Sequence, residues 1–128
     1  MKEEIKKVKR GEVYFANLPD SRNGSIQAGK RPVVVVQTEQ LNRHSPTVIV
    51  SIITSSIKKT DQNTHVVLPM IHGLPKKSMV EAEQTTTISK DMLTTKMCEL
   101  DEPTMKQVDK ALCAALLGNR RGRRIRRK

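Results

Sequence analysis

Four consecutive valines, Val33 to Val36, constrain the fold of this chain more than any other feature. The run is too short and too rich in β-branched residues for a helix, so it predicts a buried strand that ends near Gln37. Pro32 stands directly before the valines, where a strand loses no ladder hydrogen bond, and it favours extended backbone at Arg31. The pattern therefore predicts that Arg31 lies at the mouth of a strand.

A guanidinium held at a strand mouth is suited to bind a phosphate. Its planar fork gives two parallel charge-assisted hydrogen bonds, and an arginine keeps its charge at any biological pH. The polar loop before Arg31 carries Ser25 and Gln27, which add hydrogen-bonding groups. An arginine and a proline before a strand are also a common surface pattern. From these residues alone, both interpretations stay open.

The charge of the chain indicates a polyanionic partner. Lys and Arg number 24 against 13 acidic residues, giving a formal net charge of +11, and residues 119–128 hold six arginines and one lysine. Nucleic acid is the first expectation and an acidic membrane surface a weaker second. The chain shows neither a signal peptide nor an apolar run of about twenty residues, so we expect a soluble, cytoplasmic protein.

The order of local patterns predicts one α+β domain. Residues 1–9 are interpreted as a charged arm, 10–118 as the folded domain and 119–128 as a disordered tail. Strands are predicted over 12–18, 32–37, 47–53, 64–68, 78–88 and 93–100, where 78–88 is a strand or a bent strand pair and 93–100 a strand or turn. A short helix is predicted over 38–45. We expect a curved, mostly antiparallel sheet.

One longer helix is predicted at the end of the domain. Asp101 is a good N-cap, Pro103 suits the first turn and Gly118 ends the helix. Apolar residues recur at helical spacing and predict one buried face: Met105, Val108, Leu112, Ala115 and Leu116.

Two groups of residues could support cleavage of RNA, which needs no metal because the ribose 2′-hydroxyl supplies the nucleophile. The first is an acid–base pair drawn from His44, His65 and His72. The second is Arg31 with Thr54, which would act mainly by positioning and charge stabilisation. Both stay open at this point.

Other kinds of site are poorly supported by the sequence. Glu81 with Glu83 is interpreted as an exposed strand face, not as a metal site. Cys98 and Cys113 have the spacing of neither a zinc site nor a disulfide framework. We therefore expect no metal and no cofactor. Aromatic stacking platforms are nearly absent, which disfavours an RRM-like RNA reader.

Several motifs, in order along residues 10–117, resemble the MazF/PemK/Kid toxins of bacterial toxin–antitoxin systems. They are RGEVY from Arg10, GS at Gly24 followed by Gln27 and Gly29, RP at Arg31 before the valines, SPTVIVSIITS from Ser45, THV from Thr64, EQ at Glu83 and LDEPTMKQVDKAL from Leu100.

The resemblance implies a homodimer with an SH3-barrel-like fold, shared with the gyrase poison CcdB. It also implies a metal-independent, sequence-specific endoribonuclease that cuts single-stranded mRNA and leaves 2′,3′-cyclic phosphate and 5′-hydroxyl ends. The catalytic pair would be Arg31 and Thr54. The RNA-binding residues would be Ser25, Gln27, Lys30, Ser55, Ser78 and Gln84. A cognate antitoxin would lay a disordered, acidic C-terminal segment across the same groove.

The chain departs from the family pattern in two places. The family loop commonly reads GSEQGG, whereas Ile26 and Ala28 stand here in place of an acid and a glycine, and Thr86 stands where many members have arginine. These changes bear on RNA sequence preference. Two other functions are alternatives: a CcdB-like toxin that binds gyrase without catalysis, and a basic RNA-binding module.

Overall fold

The elements of the domain follow the predicted order. The structure is a computed structural model that describes residues 6–18, 29–70 and 73–118. The strands are β1 (Glu12–Leu18), β2 (Gly29–Val35), β3 (Thr47–Thr54), β4 (His65–Val67), β5 (Met79–Ser89) and β6 (Leu93–Glu99). The helices are α1 (Glu39–His44) and α2 (Glu102–Leu117), and a 3-10 turn spans Lys90–Met92. Thr38 and Asp101 cap the two helices through their side chains.

The six strands form one antiparallel sheet in the order β4-β5-β3-β2-β1-β6. The predicted α+β class, with a mostly antiparallel sheet and a C-terminal helix, is confirmed. The sheet is not closed, because β4 and β6 are its two edges and do not pair with each other in the described part of the chain. No helix among the described residues is long and apolar enough to span a membrane.

The four valines are a continuous run because both faces of the sheet are covered. Val34 and Val36 belong to a helix-side cluster that includes Met105 and Val108 of α2. Val33 and Val35 belong to a far-side cluster. The far-side cluster consists of Val8, Tyr14, Ala16, Leu18, Val33, Val35, Val48, Val50, Ile52, Ile88 and Leu93. A strand buried on both faces needs no polar alternation.

The apolar face of α2 is narrower than predicted. Met105, Val108 and Ala111 are buried, whereas Leu116 is 70 % exposed. At about 100° per residue, Leu116 lies roughly 80° around the axis from Val108, at the edge of the stripe and in the last turn. The prediction that Leu116 is buried is therefore wrong.

Packing begins before Arg10, inside the segment predicted as an arm. Val8 is 6 % exposed and lies in the far-side cluster. The Lys6 ammonium donates a hydrogen bond to the carbonyl of Leu93 at 2.6 Å. The described part of the arm is thus held against the sheet by one apolar side chain and one lysine. The tail, residues 119–128, lies outside the described residues.

A wide bulge interrupts β5. Ser51 of β3 pairs with Thr85, but its neighbour Ile52 pairs with Glu81, so the three residues 82–84 have no partner on β3. Thr85 Oγ1 donates to the carbonyl of Ala82 at 2.7 Å, which closes the bulge, and it lies 2.6 Å from Ser51 Oγ. Bulges of this kind bend a strand. Of the two predicted alternatives, a strand or a bent strand pair, the structure has the single strand.

Candidate active site

Strand register brings Arg31 and Thr54 together. Val33 pairs with Ile52, Val34 with Ser51 and Val35 with Val50. The same register, continued by two positions, places Arg31 opposite Thr54, the last residue of β3. Because β2 begins at Gly29, three residues before the predicted start, Arg31 is part of the strand. The sheet itself therefore holds both residues at one end of neighbouring strands.

A cavity of about 240 Å³ opens at these strand ends. Its lining residues are Phe15, Lys30, Arg31, Pro32, Ile53, Thr54, Ser55, Leu74, Pro75, Lys76, Ser78 and Met97. Three of them are cationic, and the described lining includes no acidic side chain. Positive charge gathered in a concave site attracts anions. The cavity is therefore suited to a phosphate group.

The Thr54 hydroxyl has a fixed role in the local backbone. Thr54 is 5 % exposed, and its Oγ1 accepts the backbone N–H of Ser56 at 3.0 Å. This bond occupies a lone pair and leaves the hydroxyl proton for another acceptor. Thr54 can thus donate to an oxygen of a bound phosphate.

The Ser78 hydroxyl has the opposite polarity. Ser78 is 6 % exposed, and its Oγ donates to the carbonyl of Lys76 at 2.8 Å. A serine hydroxyl has one proton, so its remaining capacity is that of an acceptor. In this arrangement the Ser78 hydroxyl can accept a hydrogen bond from an N–H group of a ligand, but it has no proton to donate to a phosphate oxygen.

The cavity gathers five of the eight predicted site residues: Lys30, Arg31, Thr54, Ser55 and Ser78. Gln84 lies in the β5 bulge and is not among the lining residues. Ser25 and Gln27 fall in 19–28, outside the described residues.

Sequence reasoning missed the other lining residues of the cavity. Lys76 could have been predicted from the sequence, because it lies in a basic loop just before Ser78. Phe15 and Met97 come from strands far apart in sequence, and only the sheet order β2-β1-β6 brings them near.

The histidines lie away from this cavity in the described part of the chain. His44 is exposed at the end of α1, and His72 is outside the described residues. The ring of His65 is held on both sides, with Nδ1 3.0 Å from the carbonyl oxygen of Lys59 and Nε2 2.7 Å from the carboxylate of Glu83. Since both partners accept hydrogen bonds, this geometry fits an imidazolium.

The interpretation of the two glutamates as an exposed strand face is wrong for Glu81, whereas Glu83 is exposed. Glu81 is only 8 % exposed, and its carboxylate lies within 4.8 Å of the ligand atoms of His65 and Glu83. Glu81 is the register partner of His65 on β4, which places it against the neighbouring strand.

The pair of His65 and Glu83 predicts a pH dependence of stability. Burial opposes the charge of His65, but the bonds to Glu83 and to the Lys59 carbonyl outweigh it and raise the pKa of His65 above 6.5. Burial of Glu83 is likewise outweighed by its hydrogen bonds to His65, to its own backbone and to Thr64, which together hold its pKa below 4.5. The contribution of the pair to the free energy of unfolding is therefore fully present between about pH 4.5 and 6.5. It is lost as pH rises through the pKa of folded His65 or falls through that of folded Glu83.

Glu83→Gln should lower the pKa of His65, because the carboxylate is lost while the burial stays. The imidazole C–H resonances followed by NMR against pH measure this directly, with exposed His44 as the internal control. An unchanged His65 titration in Glu83→Gln would show that the pair does not determine its charge.

Comparison with known proteins identifies the family to which this chain belongs. A family model described as the PemK-like, MazF-like toxin of type II toxin–antitoxin systems matches residues 9–116. The chain belongs to this PemK/MazF toxin family. It is 46 % identical over 110 residues to endoribonuclease EndoA of Bacillus subtilis, covering 85 % of this chain and 94 % of that protein.

Solved structures of PemK/MazF toxins share the fold. A mycobacterial endoribonuclease in complex with its cognate antitoxin is 28 % identical, with a TM-score of 0.70, over 85 % of this chain and 94 % of that one. MazF from Deinococcus radiodurans is 21 % identical, with a TM-score of 0.74, over 88 % of this chain and 98 % of that one. The resemblance seen in the motifs is thus confirmed at the level of family and fold.

Proposed function

We propose that this PemK/MazF toxin is an endoribonuclease that cuts single-stranded mRNA at short sequences without a metal ion. The observation that carries the proposal is the cavity that joins Arg31 and Thr54 and has three cations in its lining. The 46 % identity to an endoribonuclease supports the same activity.

The reaction is transfer of the phosphorus from one ribose oxygen to another. The 2′-oxygen attacks the adjacent phosphorus and loses its proton, while the 5′-oxygen of the next nucleotide leaves and gains a proton. The products are a 2′,3′-cyclic phosphate and a 5′-hydroxyl. As the phosphorus becomes five-coordinate, negative charge builds on its non-bridging oxygens, which is the charge that preorganised donors stabilise.

Arg31 and Thr54 are the proposed catalytic residues. The guanidinium of Arg31 would bind the non-bridging oxygens with two parallel bonds, and the Thr54 hydroxyl would donate to the same phosphate. Neither side chain is a strong base, so the rate would come mainly from positioning and charge stabilisation. The proposed RNA-binding residues are Ser25, Gln27, Lys30, Ser55, Ser78 and Gln84.

A cognate antitoxin is the proposed regulator. An acidic, partly disordered C-terminal segment would compete with RNA for the cationic cavity by offering carboxylates in place of phosphates. The mycobacterial endoribonuclease in complex with its cognate antitoxin supports such a partner. The cytoplasm, where mRNA is available, is the proposed location.

The exposed end of α2 supports a homodimer. Leu116 and Leu117 are 70 % and 58 % exposed, and Leu117 borders a groove of about 750 Å³ between β4 and α2. Two neighbouring exposed leucines beside an open groove are typical of an interaction surface. The proposed occupant is the same face of a second copy.

Light scattering at micromolar concentration should give the mass of a dimer, twice 14.4 kDa. Leu116→Lys with Leu117→Lys should shift the protein toward a monomer, because two charges would replace apolar contact area. Leu41→Lys, at an exposed leucine of α1, is the matched control. A wild-type monomer would contradict the proposal.

The activity is tested by incubating purified protein with a long single-stranded RNA in EDTA and mapping the cut sites by primer extension. We expect cuts at a few recurring short sequences, with ends that carry a cyclic phosphate and a 5′-hydroxyl. If folded protein cuts nothing, the proposed function fails, and inhibition of gyrase is then measured.

A further inference from the structure

The cavity has a second chemical character that phosphate binding does not use. Beside its three cations, the lining includes the apolar side chains Phe15, Pro32, Ile53, Leu74, Pro75 and Met97. A phosphate gains nothing from such contacts. A nucleotide, in contrast, joins an anionic phosphate to an apolar, flat base.

Phe15 and Met97 lie on neighbouring strands of this apolar part. Phe15 of β1 pairs with Pro32 on one side and with Thr95 of β6 on the other. Tyr14 pairs with Lys96 and Val13 with Cys98, so Met97 is the extra residue of a bulge in β6. A bulge turns a side chain out of the regular alternation. Both Phe15 and Met97 are half-buried, which leaves part of each surface available.

Phe15 is the one aromatic ring suited to stacking. The chain has one Tyr, one Phe and no Trp. Tyr14 is 8 % exposed, and its hydroxyl donates to Glu12 at 2.9 Å. Its ring is therefore committed to the far-side cluster.

We propose that Phe15 and Met97 form a base-binding subsite for one nucleotide that flanks the scissile phosphate, with the base stacked on the Phe15 ring. The proposal rests on the proposed function and adds a specificity-determining residue to it. The cavity, at about 240 Å³, is smaller than the roughly 300–1,000 Å³ of typical small-molecule pockets. We therefore assign it no more than one base.

Ser78 gives this subsite its polarity. Its hydroxyl proton is used on the Lys76 carbonyl, so toward a ligand it accepts hydrogen bonds. The base in the subsite would therefore turn an N–H edge toward Ser78. Stacking would supply affinity, and this acceptor would supply discrimination between base edges.

The first test measures binding and needs no cleavage. The probes are 2′-O-methyl hexanucleotides of uridine, adenosine and cytidine, and an abasic hexamer with the same sugar–phosphate backbone. Wild type should bind at least one base-containing hexamer about tenfold more tightly than the abasic one. Phe15→Leu, which stays apolar but lacks the ring, should lose most of that difference and keep its affinity for the abasic hexamer. Leu41→Ala, at an exposed position outside the cavity lining, should behave as wild type.

The second test uses cleavage at a mapped site. In wild type, an abasic substitution on one side of the cut should lower kcat/KM about tenfold. In Phe15→Leu, the same substitution should have little further effect, because the ring and the base act as one unit. If, on both sides of the cut, the abasic substitution lowers kcat/KM by the same factor in Phe15→Leu as in wild type, the proposed subsite is wrong. Equal affinity of wild type for base-containing and abasic hexamers would overturn it too, even for a protein that cuts nothing.

Discussion

Replacing Arg31 with alanine is expected to lower kcat for RNA cleavage by about 10³-fold or more. The reason is that the guanidinium would stabilise charge present only when the phosphorus is five-coordinate, and one such preorganised donor is worth about 10²–10³ even when neutral. Arg31 lies in β2, and removal of its half-buried side chain leaves the valine core intact. Single-turnover cleavage of a short RNA with one mapped site measures the effect.

Arg31→Lys separates charge from geometry. Lysine keeps the charge but loses the bidentate fork, so we expect activity between those of wild type and Arg31→Ala. Arg43→Ala, at an exposed arginine of α1, is the control for a general loss of positive charge. Cleavage by Arg31→Ala at a rate within a few-fold of wild type would remove Arg31 from the mechanism and with it the phosphate site.

Replacing Thr54 is expected to have the second largest effect, a loss of about 10²-fold in kcat. Thr54→Val keeps the shape of the side chain but has no proton to donate, whereas Thr54→Ser keeps the hydroxyl. We therefore expect Thr54→Ser to retain most of the activity and Thr54→Val to lose it. Single-turnover rates on the same RNA compare the two.

The free energy of unfolding of the Thr54 variants shows whether a loss of activity reflects a loss of folded structure. Both Thr54→Val and Thr54→Ala leave the Ser56 N–H without its side-chain acceptor, which costs about 1 kcal/mol. Urea unfolding should show that loss in both variants, whereas Thr54→Ser keeps the acceptor and loses only the buried methyl group, about 0.8 kcal/mol. If Thr54→Val and Thr54→Ser cut RNA equally well, the hydroxyl has no part in the reaction.

Local patterns were sufficient to predict most elements of this fold. The valine run, the threonine and aspartate caps and the β-branched segments each act over a few residues. Each predicted strand and helix is present, β1 with its predicted bounds and several others with shifted ends. Arg31 with Thr54 was one of two open candidates from the residues, and only the family motifs favoured it, because their proximity depends on the register of β2 against β3.

The residues that sequence reasoning missed depend on contacts between distant parts of the chain. Phe15 enters the cavity because β1 lies between β2 and β6, and Met97 because a bulge interrupts β6. The burial of Glu81 follows from its pairing with His65 across β4 and β5. A pattern of alternation along one strand contains no information about which strand becomes its neighbour.

The valine run has a consequence for the accuracy of folding. In most half-buried strands a shift of one residue exchanges apolar and polar faces, and the resulting cost excludes the shifted pairing. In β2 such a shift would replace one valine by another on either face, so the apolar residues discriminate poorly between the two alignments. The penalty for misalignment must come from contacts other than the apolar ones, such as the hydrogen bond from the Gly11 N–H to the Val35 carbonyl at 2.8 Å. A misaligned molecule would retain a well-filled interior while its arginine faced the wrong residue, so this chain could lose its chemistry without losing its compactness.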